Sequence, residues 1–257
     1  MSHPRTTSRT VLARFLSRGP LERLPKRPDD RESLLELIAW QVLPVGAVVD
    51  EPSLNLRLRA YTEDTAMLRR ALVDAGMVLR AVDGSSYTGA VKRPELVIRA
   101  VTEEDDPEVN RITRAAYLEH FDPEVEYLSY VSAAGKSRRE DAETWVAERG
   151  GIMLATVTLA EAGGVWADVA RARELEFRLL TVDPSVRRTG AGSGLVRAIV
   201  EEGRRRSNID RVVLSTNSDW HAANAMYPGL GFSRAPERDW TPSDKPDLTL
   251  LVYTQDV

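Results

Sequence analysis

The stretch "ELEFRLLTVDPSVRRTGAGSGLVRAIV" (Glu174–Val200) decides how the chain is read. Glu174–Val182 alternates at first and turns doubly apolar at Leu179-Leu180, which predicts a strand. Gly190, Gly192 and Gly194 then fall within five positions, and the chain continues as a helix. A strand opening directly onto a helix leaves backbone N–H groups unpaired at the positive end of the helix dipole. Glycines there remove Cβ obstruction and let a diphosphate approach the main chain. The other reading of the same glycines is a tight packing turn. A nucleotide P-loop is excluded, because no Lys follows the last glycine. A dinucleotide fingerprint is excluded as well: the spacing is G-x-G-x-G, with no βαβ unit and no acid about 20 residues on.

Composition narrows the classes around this turn. The chain has 257 residues, 42% hydrophobic and 29% charged, long enough for one large domain or two modest ones. It has no cysteine, which excludes disulfides, thiolate catalysis and Cys-based zinc sites and suits a reducing, cytoplasmic location. Its three histidines, His3, His120 and His221, stand in no ligand spacing, so no metal is expected. No apolar run has the length of a membrane span. The opening residues are rich in Ser, Thr and Arg without an apolar core, so a flexible tail over 1–20 is expected rather than a secretory signal. Residues 1–92 hold 14 Lys/Arg against 11 Asp/Glu, and the remainder 21 against 28. A mildly basic front and an acidic back point to two modules, with a boundary near "YTGAVKRPE" (87–95).

The front module (21–90) reads as helix, helix, hairpin. "DDRESLLELIAWQVL" has Asp29 or Asp30 as cap, and "TEDTAMLRRALVDAGMVLRA" has Thr62 as cap. "MVLRAVDGSSYTGA" turns at Asp83-Gly84. That order is the order of a small α+β winged-helix-like unit. "DTAMLRRALVDAGMVLRAVDGSSY" (64–87) resembles an uncharacterised bacterial domain often found beside transcription-regulator modules. The family's G-x-L step is Gly76-Met77-Val78-Leu79 here. Arg69 and Arg70 raise a nucleic-acid partner, but Asp64 and Asp74 flank them, and a solvated helix face is the preferred reading.

The back module (91–257) orders as strand, helices, strands, glycine turn, helix, strand, short helix, strand, an α/β pattern with a mixed sheet. Its run Arg138–Glu148 is charged and helix-prone. Arg187, Gly190 and Gly192 fit R/Q-x-x-G-x-G/A, and "NAMYPGLGF" (224–232) fits the A-x-x-x-Y-x-x-x-G-F segment. In these two motifs the module resembles the GNAT superfamily of acyl-CoA-dependent N-acyltransferases. Arg188 stands where the family commonly has glycine, which adds a cation and removes backbone freedom. The resemblance implies a splayed central sheet with flanking helices and acetyl-CoA as cosubstrate. It implies acetyl transfer to the primary amine of an unidentified small-molecule or protein acceptor; no membrane partner is expected, since no apolar run is long enough to span one. It places the pyrophosphate on Arg187, Arg188, Thr189, Gly190, Ala191, Gly192 and Ser193. It places the thioester and pantetheine arm on the main chain of Leu180, Thr181 and Val182, with Asn217 and Asn224 as further contacts. Tyr227 takes the leaving thiolate, and Glu174 or Glu176 the amine proton. The competing class is an acyl-CoA-sensing regulator that binds DNA or protein with little turnover.

Overall fold

The computed structural model describes residues 20–186, 189–243, 245 and 247–257. The expected tail, apart from Pro20, and the turn arginines Arg187 and Arg188 lie outside the described residues. The chain divides into two units. One ends at Glu95 and takes in Arg149–Ile152; the other is Leu96–Glu148 with Met153–Val257.

In the first unit α1 (Pro28–Val42) starts on a proline whose fixed φ suits a first helical turn. Asp29 and Asp30 favour the positive end of its dipole, but the cap position is Arg27, without a capping side chain. After β1 (Val48–Val49) comes a helix the sequence reading missed, α2 (Glu51–Leu58), which Asp50 caps by accepting the Ser53 N–H at 2.9 Å. α3 (Thr65–Asp74) is capped by Asp64, not Thr62; the Thr62 hydroxyl donates instead to the Leu21 carbonyl at 2.6 Å. β2 (Val78–Arg80) and β3 (Tyr87–Gly89) form the hairpin, and the sheet order is β1-β3-β2. Leu34, Ile38, Leu54, Leu58, Leu68 and Leu72 share one buried core. Each such side chain stabilises the fold by roughly 1.5–3 kcal/mol. Arg69 is held inside this unit, by Asn55 at 2.5 Å and Glu51 at 3.0 Å, and Arg70 is exposed.

The second unit runs β4 (Val97–Ala100), α4 (Asp106–Tyr117), α5 (Glu126–Ser132), α6 (Gly135–Glu140), β5 (Glu143–Arg149), β6 (Ile152–Glu161) and β7 (Glu174–Val182). It continues with α7 (Ala191–Arg205), β8 (Arg211–Asn217), α8 (His221–Gly229), β9 (Ser233–Arg234) and β10 (Leu250–Asp256). The seven strands make one mixed sheet in the order β4-β5-β6-β7-β8-β10-β9. The expectation of helix over Arg138–Glu148 is corrected: the helix stops at Glu140 and β5 follows. Thr144 and Val146 alternate into the core, while Glu143 pairs with Arg206 at 2.7 Å and Glu148 with Arg99 at 3.0 Å. The charges of that run thus stand near the two ends of a strand, on opposite faces, and each finds its partner across the fold rather than along a helix.

What positions the site is the pairing of β7. It lies antiparallel to β6 along its length, but parallel to β8 only from Glu174–Glu176 to Arg211–Val213. Beyond Glu176 the two strands have no common ladder and part company. β8 is held instead by β10, paired from Arg211 to Asn217. The parting is therefore a property of β7 and not a fraying of the sheet.

Candidate functional site

Where β7 leaves β8 it also bulges. Thr181 faces Thr156 and Arg178 faces Thr158, so Leu179 and Leu180 together stand opposite the single Val157. Leu179 has φ +49°, a left-handed conformation that costs a residue with a Cβ about 1–2 kcal/mol. A bulge re-aims the main chain, and here it does so on the edge that has lost its ladder. Leu180, Thr181 and Val182, named from the sequence as main-chain contacts, all lie on this open run.

A cavity of about 190 Å³ opens beside it, between Arg178 and Leu179 of β7 and Ser215–Asn217 of β8. Its opposite wall is aromatic. Tyr117 stacks on Phe121 at 5.7 Å and meets Trp220 edge-on at 5.6 Å, and Tyr127 stands 6.0 Å from Tyr117. Its charged floor is the pair Arg178–Asp168 at 2.5 Å. Burial pushes the Asp168 carboxyl above the ordinary carboxylate value, against the pull of Arg178. No sequence motif singled out Asp168: it sits on the loop between β6 and β7, and only the fold brings it to the cavity.

The two sequence-named carboxylates do not reach the cavity. Glu176 is completely buried and accepts three main-chain N–H bonds, from Asp168, Val169 and Ala170, at 2.8–2.9 Å. Burial pushes its carboxyl up, although these donors and Arg178 oppose the rise. Glu174 accepts from Arg171 N–H at 2.9 Å and from the Arg238 guanidinium at 2.7 and 2.9 Å. Burial would raise its carboxyl, but Arg238 and the Arg171 N–H hold it below the usual range. Both carboxylates are consumed in pinning the loop over β7, so neither geometry suits a base that meets an acceptor.

Beyond β7 the Asp183 carboxylate accepts from Ser185 N–H at 2.9 Å and pairs with Arg111, fixing the turn. Gly190 is the N-cap of α7 at φ +81° and contributes no capping side chain. A Cβ there would meet nothing within 4 Å, so the helix start is open as well as left-handed. The other two glycines have packing reasons. A Cβ on Gly194 would lie 2.4 Å from the Leu96 side chain, and one on Gly192 3.1 Å from Val182. One glycine of the turn thus leaves the helix start open, and two allow close packing. Thr189, Ala191 and Ser193 flank Gly190 at this helix start; Thr189 and Ala191 are buried, and Ser193 donates to the Gly190 carbonyl at 3.2 Å.

Tyr227 on α8 packs among Phe177, Phe232 and Tyr253 at ring distances of 5.4–6.1 Å. Burial pushes its phenol well up, so it keeps its proton at neutral pH. Its hydroxyl donates to no protein group among the described residues. Asn217 lines the cavity, with its carbonyl taken by the Asp219 N–H at 2.8 Å. Asn224 is committed to the fold: its amide donates to the carbonyls of Asn217, Ser218 and Trp220, and its oxygen accepts from Tyr253. It has no donor left for a ligand amide.

A bulged strand splayed from a parallel neighbour, followed by a glycine-capped helix, gives this unit a mixed α/β fold of the acetyltransferase (GNAT) type. Comparison with known families agrees. Residues 107–232 match the acetyltransferase (GNAT) family and are a domain of it. Residues 20–88 match DUF2087, described as an uncharacterised protein conserved in bacteria. N-acetyltransferase family 8 member 3 of Mus musculus is 33% identical over 97 residues, 38% of this chain and 41% of that protein, and member 7 matches equally. The chain thus spans less than half the length of the curated relatives it matches. A GNAT-family structure from Desulfovibrio desulfuricans superposes with a TM-score of 0.51 at 14% identity, over 63% of this chain and 99% of that one. Among the described residues no helix is long and apolar enough to cross a membrane.

Proposed function

We propose that the second unit transfers an acetyl group from acetyl-CoA to a primary amine. The observation that carries this reading is the open, bulged run Leu179–Val182 between an aromatic cavity and the glycine-capped start of α7. The residues suit the cosubstrate: Gly190 leaves room for a phosphate at the positive end of a 15-residue helix. Acetyl-CoA supplies the activated carbonyl and the thiolate leaving group. Main-chain N–H groups of Leu180 or Val182 donate to the oxygen that becomes negative during attack. Tyr227 donates a hydrogen bond to the departing sulfur. A thiol has a pKa of about 8.5, below that of a buried phenol, so stabilisation by the bond is favoured over outright proton transfer.

The acceptor must be neutral to attack. Asp168 is the cavity carboxylate that takes its proton, directly or through water, and burial makes it a stronger base than an exposed carboxylate. The first unit is read as a winged-helix-like module. With Arg69 held internally it offers little to a phosphate backbone, so transfer is preferred over nucleic-acid regulation. Thiol release from acetyl-CoA across a panel of amines tests the reading. Coenzyme A binding by calorimetry without thiol release from any amine would leave a sensor, not an enzyme.

A further inference from the structure

The cavity already contains an amine of the protein's own. Lys245 lies on the segment between Trp240 and Leu250, its N–H bonded to the Pro242 carbonyl and its carbonyl to the Leu248 N–H, both at 3.0 Å. Its Nζ sits 4.7 Å from the Tyr127 ring centroid and 5.5 Å from that of Phe121. Both distances are within the roughly 6 Å range of a cation–π contact. The two rings meet at 63° with centroids 6.1 Å apart, forming a corner, and Trp220 stands 6.3 Å from Phe121 at 75°. Among the described residues no carboxylate pairs with Lys245; the cavity's own acid, Asp168, is taken by Arg178. Ring faces therefore hold this ammonium. The cation brought there ends a flexible four-carbon chain, and it comes from the protein rather than from a ligand.

We propose that the Phe121–Tyr127 corner is the seat of the acceptor, that the acceptor is an unbranched alkyl primary ammonium, and that Lys245 occupies the seat until an acceptor displaces it. The class covers a diaminoalkane or a lysyl side chain. This rests on the transfer reading for the identity of the cavity as an acceptor site, but the seat itself is a binding property that can be measured without turnover. Aromatic faces favour a cation over a neutral group of the same shape because of the ring quadrupole. An aliphatic stem also suits the apolar wall of Leu248 and Leu250. Lys245 is then an internal competitor: its tether gives it a high local concentration, so an acceptor with the same contacts binds more weakly than it would to an empty corner.

The test uses 1,5-diaminopentane with the full-length protein, followed by the fluorescence of Trp220 and Trp240, which both line the cavity. Lys245→Ala is expected to bind the diamine about tenfold more tightly than the unsubstituted protein, the scale of one cation–π contact freed. Adding Tyr127→Leu to Lys245→Ala should remove that gain, with an unchanged melting temperature certifying the fold. Pentane-1,5-diol, which keeps the stem and lacks the charge, should bind neither protein measurably. Equal affinity of Lys245→Ala and the unsubstituted protein, or equal binding of diol and diamine, overturns the proposal. Thiol release with acetyl-CoA separates the two claims. Tight diamine binding to Lys245→Ala without thiol release upholds the seat and removes the transfer reading. Thiol release from amines with no effect of Lys245→Ala upholds transfer and removes the seat.

Discussion

The two ends of β7 carry similar chemistry to opposite ends. From Glu174 to Glu176 the strand is laddered on both sides, and its two carboxylates are buried and bonded to N–H groups of the loop before it. From Phe177 to Val182 it keeps one neighbour, bulges at Leu179 and faces a cavity. Carboxylates at the closed end resemble catalytic acids in sequence, yet they hold the loop that delivers Asp168. In the proposed transfer the open end acts through main-chain N–H groups that a ladder would have consumed. Along β7 the fold thus leaves main-chain hydrogen-bonding groups unpaired where the strand has lost its second neighbour.

The largest effect should come from breaking the closed end. Glu176→Ala leaves three buried N–H groups without an acceptor and is expected to cost about 3 kcal/mol or more in chemical denaturation. Thiol release per folded molecule should fall no further than in Asp168→Asn, because the carboxylate does not touch the cavity and acts only through the loop that carries Asp168. A large loss of turnover at full stability would erase the contrast between the two ends.

Next comes the open end's partner on α8. Tyr227→Phe is expected to lower kcat about a hundredfold, the lower range for loss of one donor to a developing negative charge, with coenzyme A affinity intact. Unchanged turnover would take the hydroxyl out of the mechanism. Asp168→Asn should reduce kcat about tenfold and abolish the acid limb of the pH–rate profile, since the group that must be ionised is gone. Persistence of that limb would move the base elsewhere.

The glycines sharpen the picture further. Gly190→Ala strains a left-handed position by about 1 kcal/mol and should weaken coenzyme A binding several-fold in calorimetry. Gly194→Ala should act on stability instead, because its Cβ would run into Leu96. The smallest effect concerns pH. The folded-state value of Glu176 is raised above the ordinary 4.5, so the folded protein binds more protons than the unfolded chain just above that pH. Stability from this group therefore falls as pH rises through that window and stays lower beyond it. Glu176→Gln should flatten this part of the stability–pH curve; an unaltered slope would assign it to other groups.

The sequence by itself determined the order of elements from β6 onward, apart from the short β9, and the bounds of β7 and β8, because alternation and glycine punctuation are local signals. It also located the helix start that Gly190 caps, through a motif whose geometry is local too. It missed α2, whose apolar spacing is short, and took β5 for helix, because the pairing of Glu143 and Glu148 with arginines distant in sequence cannot be seen locally. Only the tertiary structure decided which carboxylate reaches the cavity. Glu174 and Glu176 differ from Asp168 not in chemistry but in which N–H groups the fold aims at them. The meeting of Phe121, Tyr127 and Lys245 is likewise a product of folding, since more than a hundred residues separate the rings from the ammonium they hold.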